Sequence, residues 1–423
     1  MIKKILEDSF LYTIANFFTK GIGFIMIPIY TSYFSTQEYG VIDLLIVTGS
    51  ILSIIIGLEI HQAVARFFPE SKSEIDKKII VSSALWSIVI LYIIFLLISL
   101  PFINQISLLA FETDKYSNIL FIAFLSFGFN FIYYFFSSQL KWQFKSKQNV
   151  IVSFIYSLIT AGLAYIILKY YHRGIESIFV AQIIAALVGI ILSYLYSKEY
   201  YGFILNFGKF KDLLSFSTPL IFSTLIVYAM LYLDRVMINI FLSIEDVGLY
   251  GIAFRFASIT TLLTAGIQAA LTPLIYKNYK KRDTPIAIAK LFNYFILFSI
   301  IFIMFLFVFS KDIILLVANK NYVDAYTVIP WLSISLIFSG IINFAPGIFI
   351  AKKTKYILYI NTLAFVLNIC LNVILIKNFG LLGAAYATAI SSFIYFLSYY
   401  LIGQRYYYIP YIWTKLKHKE INI

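Results

Sequence analysis

The chain is poor in charge, in histidine and in cysteine. Of 423 residues, 53 are Asp, Glu, Lys or Arg, which is 13%, against about 25% in an ordinary soluble chain. The single Cys370 lies in an apolar run with nothing to pair with, which excludes a disulfide scaffold. His61, His172 and His418 are too scattered for a metal cluster, and no H-E-x-x-H occurs. No Walker A loop is present either. Gly202 and Gly208-Lys209 are separated by five residues instead of four, and Phe210 stands where a magnesium-binding Ser or Thr is needed. No cofactor is expected, and nothing in this pattern points to nucleic acid.

In place of these, 61% of the chain is hydrophobic and 19% aromatic, the composition of an integral membrane protein. Polar breaks delimit twelve apolar runs at 9–34, 41–62, 79–103, 117–138, 149–168, 176–197, 214–242, 248–274, 290–310, 326–350, 357–376 and 380–402. Each is long enough for a transmembrane helix of about 20 residues. Runs such as Ile88 to Leu100 are apolar on every face, unlike the alternating strands of a membrane barrel. The first run follows Glu7 and Asp8 and lacks a small-residue cleavage site, so it is expected to stay as a membrane anchor.

The net charge of +13 is explained mostly by topology. Alternate loops carry 24 Lys and Arg residues on one side and six on the other, with Lys20, Arg235 and Arg255 left inside spans. Positive charge marks the cytoplasmic side, so both termini are expected there and the basic loops are expected to meet anionic membrane lipids.

An internal duplication is visible. Ser35-Thr36-Gln37-Glu38-Tyr39-Gly40 follows the first run and Ser243-Ile244-Glu245-Asp246-Val247-Gly248 the seventh, both S-x-x-[ED]-x-G with glycines 208 apart. Gly57 and Gly266, then Gly174 and Gly380, repeat the offset within two residues. An even number of spans separates each pair, so the repeat is parallel, a plan in which transport folds bind substrate between the halves. The expected lobes are 1–206 and 207–402, followed by a basic cytoplasmic tail at 403–423. The expected fold class is an all-α polytopic membrane protein of twelve helices in two parallel six-helix lobes.

Six ionisable residues fall inside the spans: Lys20, Asp43, Glu59, Asp234, Arg235 and Arg255. Six lipid-facing charges at about 2.5–3.5 kcal/mol each would exceed the usual net stability of about 5–15 kcal/mol. They are therefore expected to face protein, water or each other. Helical spacing groups Thr13, Asn16, Lys20 and Gly23 on one stripe of the first helix, and Thr224, Tyr228, Arg235 and Asn239 on the seventh. Gly251, Arg255, Ser258, Thr261 and Gln268 share a stripe of the eighth, and the second carries two faces, Asp43, Ser50, Gly57 and His61 on one, Glu59, Gln62 and Arg66 on the other. Two structural alternatives stand beside a functional reading: Asp43 or Asp234 pairing with Arg235 or Arg255, and Glu59 in the headgroup region near Arg66. Tyr228 and Tyr232 are candidate platforms for sugar rings, while most aromatic side chains are expected to meet lipid or its interface.

Several of these segments resemble bacterial polysaccharide exporters of the Wzx flippase type. They are the Pro28-containing first helix through Tyr39-Gly40, Gly57-Leu58 with Ala65-Arg66-Phe67, Phe216-Ser217-Thr218-Pro219, Leu233-Asp234-Arg235, Val247-Gly248-Leu249-Tyr250 with Ala253, and Gly380-Leu381-Leu382-Gly383-Ala384-Ala385. The superfamily also contains multidrug extruders and MurJ, and twelve helices fit the Wzx type better than the fourteen of MurJ. The resemblance implies a MATE-like fold in a bacterial cytoplasmic membrane. It also implies export of undecaprenyl-pyrophosphate-linked oligosaccharide for O-antigen or capsule assembly, with a polysaccharide polymerase and chain-length proteins as partners. A pyrophosphate needs cationic partners, and Lys20, Arg235 and Arg255, with Asn16 and Gln268, are the candidate substrate-binding residues. Asp43, Glu59 and Asp234 are candidates for coupling to a proton or sodium gradient, the membrane potential being the other driving force. A multidrug/cation antiporter of the same fold is the main alternative. A membrane polymerase or glycosyltransferase is opposed by external loops of under twenty residues at 104–116 and 311–325, and the chain is not expected to be an enzyme.

Overall fold

The computed structural model describes residues 2–411 apart from 72, 144, 172–173, 265–267, 269–270, 272–274, 276–277, 352 and 354, with side chains described from residue 18 onward. The chain is an all-α polytopic membrane protein, with no strand among the described residues. The first half contains α1 (Ile2–Tyr33), α2 (Thr36–Gly57), α3 (Ile60–Phe67), α4 (Glu74–Ser99), α5 (Ile103–Phe111), α6 (Ser117–Trp142), α7 (Ser146–Tyr171) and α8 (Glu176–Ser197). The second contains α9 (Phe207–Phe241), α10 (Ile244–Ala257), α11 (Asp283–Val317), α12 (Ile329–Ile341), α13 (Gly347–Ile350) and α14 (Lys355–Tyr406). Ten described helices are long and apolar enough to cross a membrane. The last of them turns at Gly380 (φ 57°, ψ −136°), a left-handed position that glycine adopts without a Cβ clash, and so divides into two legs.

Several helices outrun the apolar runs that announce them. α9 begins at Phe207 and α11 spans Asp283–Val317, because polar residues at a helix end satisfy the backbone as well as apolar ones do. The two external stretches read from sequence as loops are largely helical: α5 occupies Ile103–Phe111, and a 3₁₀ segment occupies Lys320–Thr327. The run 41–62 is not one helix. It breaks at Leu58 (φ 49°) and Glu59 (φ 51°), both left-handed without being glycine, into α2 and α3.

The described chain divides into two compact units, one of Met1–Asn239 with Ser243–Gly251, the other of Ile240–Leu242 with Ile252–Ile423. In the first unit, an apolar core joins α3, α4 and α6 through Ile60, Val64, Ile80, Val81, Ile88 and Phe135. Helices α2 and α6 approach closely because glycine faces ring: Phe127 fills the space at Gly49, and Phe131 that at Gly57. The segment after α8 is docked on α4, with Trp86 Nε1 donating to the Gly202 carbonyl at 2.8 Å and Phe203 stacked on the indole. In the second unit Phe292, Phe295 and Phe344 pack with Tyr400 and Tyr411. Tyr411 donates to the Phe344 carbonyl, and burial pushes its phenol above the ordinary range.

Both S-x-x-[ED]-x-G turns are helix caps. Ser35 Oγ accepts from the Glu38 amide at 3.2 Å while the Glu38 carboxylate accepts from the Ser35 amide at 2.9 Å, the reciprocal capping box that starts α2. At the start of α10, Ser243 Oγ accepts from the Asp246 amide at 3.1 Å and donates to its carboxylate at 2.6 Å. The closing glycines then meet across the repeat, within the first unit. A Cβ at Gly40 would overlap the carbonyl oxygen of Ile244, and one at Gly248 would overlap that of Thr36. Residues 36 and 244, like 40 and 248, are 208 apart, so the contact is reciprocal.

Candidate functional site

Two polar sites lie within the first unit. One sits where α2, α9 and α10 meet. Asp43, one turn beyond Gly40, approaches α10 at Gly251, where a Cβ would lie 2.8 Å from its carboxylate carbon. Arg235, on α9, donates from Nε to Asp43 Oδ2 at 2.8 Å and from a terminal nitrogen to the Leu231 carbonyl at 2.9 Å. Its guanidinium lies over the rings of Tyr232 and Tyr250, at 5.3 and 5.4 Å from their centroids. Tyr250 in turn donates to Asp234 Oδ2 at 2.8 Å. Arg235 and Asp234 are each 2% exposed and Asp43 8%. Adjacent acid and base thus leave α9 in different directions and are both satisfied, which is the condition for keeping charge away from water.

The other site is a cavity of about 530 Å³ bounded by α2, α3, α6, α7, α8 and α9. The break at Leu58–Glu59 builds one end of it. Two successive left-handed residues without glycine cost about 1–2 kcal/mol each, a strain that surrounding structure must hold in place. Their effect is to turn Glu59 out of the register of α2 and set it with His61 and Gln62. Gln62 Nε2 donates to Glu59 Oε2 at 2.5 Å, and His61 Nε2 lies 3.6 Å from the same oxygen. The imidazole meets Tyr134 edge to face at 5.1 Å.

The opposite wall is uncharged. Tyr156 on α7 donates to Asn130 Oδ1 at 2.5 Å, and Asn130 Nδ2 donates to Ser126 Oγ and to Gln182 Oε1 at 3.1 and 3.2 Å. Ser126 Oγ donates to the same Gln182 oxygen at 2.9 Å. Tyr133 and Tyr156 stack at 4.3 Å with their planes within 8°, and Tyr133 reaches this position because Gly189 on α8 has no Cβ. Thr224 and Tyr228 of α9, with Ser50 and Ser53 of α2, complete the polar surface.

The residues singled out from sequence are thus sorted among different places. Asp43, Asp234 and Arg235 form one cluster, so the salt-bridge alternative describes Arg235 and Asp43. Glu59 lines the cavity, with His61 and Gln62 instead of with Arg66, which pairs with the exposed Glu70. Of the two faces read on the second helix, the grouping of Glu59 with Gln62 is present, whereas His61 joins them and Arg66 does not, because the break at 58 and 59 interrupts the periodicity. Lys20 is exposed on α1 and lies outside the cavity lining. Arg255 is half-buried in the last turn of α10 and Gln268 is exposed, both in the second unit. Asn16 lies outside the described side chains. Tyr228 lines the cavity, whereas Tyr232 lies against Arg235. The amide network of Ser126, Asn130 and Gln182 was not singled out from sequence. Its one local signal is the four-residue spacing of Ser126 and Asn130, which puts both on one face of α6. Among the described residues no group of three His, Cys, Asp or Glu could hold a metal ion.

A polysaccharide biosynthesis protein family model matches residues 5–278, and a MatE model matches residues 219–374. A protein of Haloferax volcanii named as the probable low-salt glycan biosynthesis flippase Agl15 is 26% identical over 191 residues. That match spans 44% of this chain and 40% of the relative's length. Among solved structures, the lipid II flippase MurJ in an inward closed conformation superposes with a TM-score of 0.76 at 18% identity, over 93% of this chain and 87% of its own. An inward-facing multidrug resistance MATE family transporter superposes with a TM-score of 0.73 at 15% identity, over 93% and 94%. At these identities the structural likeness defines a shared fold.

Proposed function

The chain belongs to the polysaccharide biosynthesis protein family, and on that premise we propose that it is a flippase for undecaprenyl-pyrophosphate-linked oligosaccharide repeat units. It moves them from the cytoplasmic to the outer leaflet by alternating access, for O-antigen, capsule or another surface polysaccharide. The observation that carries this reading is a polar, aromatic-lined cavity of about 530 Å³ inside a unit built from membrane-crossing helices. A polar-lined cavity within membrane-crossing helices serves passage of a polar group, while the polyprenyl tail stays in lipid. The chain acts as a transporter and not as a glycosyltransferase, in line with the helical, compact external segments. Polymerase and chain-length proteins are the proposed partners.

Of the three cations considered for the pyrophosphate, Arg235 is bonded to Asp43; we assign the role to Lys20 and Arg255 by their charge within apolar spans, with Asn16 and Gln268 as polar companions. Replacing Lys20 and Arg255 together with Gln is expected to abolish export. Normal surface polysaccharide in a null strain complemented with the double variant overturns that assignment. For the driving force, one charge crossing 100 mV is worth about 2.3 kcal/mol, so a headgroup of two net negative charges gains about 4.6 kcal/mol on leaving an inside-negative cell. Exchange with protons or sodium at Glu59 is the alternative drive. Flipping in liposomes that ignores both an imposed potential and both ion gradients rejects the two schemes.

One observation favours a second reading, a multidrug/cation antiporter. Among the described residues Glu59 is the one carboxylate in the cavity lining and no Lys or Arg accompanies it, the polarity that would attract an organic cation. Loss of drug resistance in a deletion strain with surface polysaccharide intact would select this reading.

A further inference from the structure

The lining of the cavity is ill-suited to the pyrophosphate and well suited to something else. Among the described residues it contains Glu59 and neither Lys nor Arg. Lys141 is near enough for its charge to act on His61 but is not part of the lining. An anion placed beside Glu59 without a cation would meet like-charge repulsion. A neutral ring bearing hydroxyl groups meets no such penalty.

The hydrogen-bonding state of the walls is specific. Gln182 Oε1 accepts from both Ser126 and Asn130, which fixes the amide orientation. Its Nε2 donates to no described residue, and neither does Glu59 Oε1 accept from one. The cavity therefore presents an oriented donor on α8 and an anionic acceptor at the α2–α3 break, each held by its own network. The lining also includes the aromatic side chains of Tyr134, Tyr156 and Tyr228. A sugar ring needs this combination: a hydroxyl both donates and accepts, and the C–H face of the ring packs on aromatic carbon. The volume of about 530 Å³ lies within the range of about 300–1,000 Å³ of sites that enclose small molecules. A metal ion would instead gather its oxygens to about 2–2.6 Å, whereas these polar groups belong to two separate networks on α3 and on α6, α7 and α8.

We propose that this cavity is a saccharide subsite, which takes a neutral sugar ring of the translocated glycan while the phosphates bind elsewhere. The proposal rests on the flippase reading above and assigns the choice of glycan to Gln182, Glu59 and the tyrosine walls. A site that hydrogen-bonds a hydroxyl rejects an analogue lacking it far more strongly than an apolar pocket rejects a missing methylene. Selection at this point therefore falls on the sugar and not on the carrier lipid.

The test uses the full chain in liposomes with two substrates: undecaprenyl pyrophosphate carrying the glycan extracted from the producing cell, and the same lipid without sugar. Gln182→Ala, and separately Tyr156→Phe, which keeps the ring, are expected to lower the ratio of glycan-lipid to bare-lipid flipping at least tenfold. An unchanged ratio, or an equal loss of both substrates, overturns the subsite. If the unaltered protein moves neither lipid, the flippase reading fails and binding decides the subsite. The glycan released from the lipid is then titrated into detergent-purified protein and followed by intrinsic fluorescence. Saturable binding weakened at least tenfold by Gln182→Ala supports the subsite, and no binding overturns it. A sodium-specific fluorescence change that Glu59→Gln removes assigns the cavity to a cation and overturns it as well.

Discussion

The two polar sites of the first unit use the same kinds of side chain to opposite ends. Around Arg235 the side chains are used on each other: guanidinium on carboxylate and carbonyl, phenol on carboxylate, ring on cation. Around Glu59 the networks stop short: among the described residues Glu59 Oε1 and Gln182 Nε2 have no bonding partner, and both residues line the cavity. A charge within the membrane is thus no uniform sign of transport. What separates a structural charge from one that meets a ligand is whether its partners are all protein. The difference also predicts where substitutions are felt, in stability at the first site and in transport at the second.

The largest stability loss is expected at Arg235→Met, which leaves Asp43 buried without its partner, about 3–5 kcal/mol. Thermal unfolding in detergent measures it. The double variant Asp43→Asn with Arg235→Met should recover much of that loss, and simple additivity of the two singles would show that the pair is not coupled. Next is Gly248→Ala, where the new methyl group has a backbone carbonyl in its way rather than a flexible side chain. About 1–3 kcal/mol is expected, with Gly40→Ala matching it because the contact is reciprocal. At the break, Leu58→Gly relieves the left-handed strain and should raise stability by up to about 1 kcal/mol, offset in part by chain entropy. A loss there would mean that the Leu58 side chain packs more favourably than its backbone is strained. The smallest effect on stability is expected at Glu59→Gln, within about 0.5 kcal/mol, the ordinary range for sites free of structural duty. Its flipping of the glycan-lipid should nonetheless fall, and stability falling with it would erase the distinction between the two sites.

The sequence is informative where a physical cause acts locally. Lipid imposes long apolar runs, so the helices are legible from hydropathy, and the caps at Ser35 and Ser243 repeat because each starts a helix by the same bonds. The pairing of Asp43 with Arg235 could only be offered among alternatives, since it joins residues 192 apart in sequence. The break at Leu58–Glu59 was hidden, because neither residue is the glycine or proline that marks one. It brings His61 to Glu59 and Gln62 and leaves Arg66 with Glu70, which unbroken periodicity does not predict. The amides Asn130 and Gln182 were overlooked for a different reason. Uncharged groups cost little enough inside a helix bundle to pass as packing, and only the three-dimensional meeting of α6, α7 and α8 shows that they act as one network.

The reciprocal contact of Gly40 with Ile244 and Gly248 with Thr36 has the form of an isologous interface, the kind by which two identical chains pair about a two-fold axis. Here both faces belong to one polypeptide. Association between separate chains depends on how many copies a membrane holds; joined by a linker, the second face is always present at a fixed effective concentration. The junction therefore forms to the same extent in a cell with few copies as in one with many, and dilution into lipid does not dissolve it.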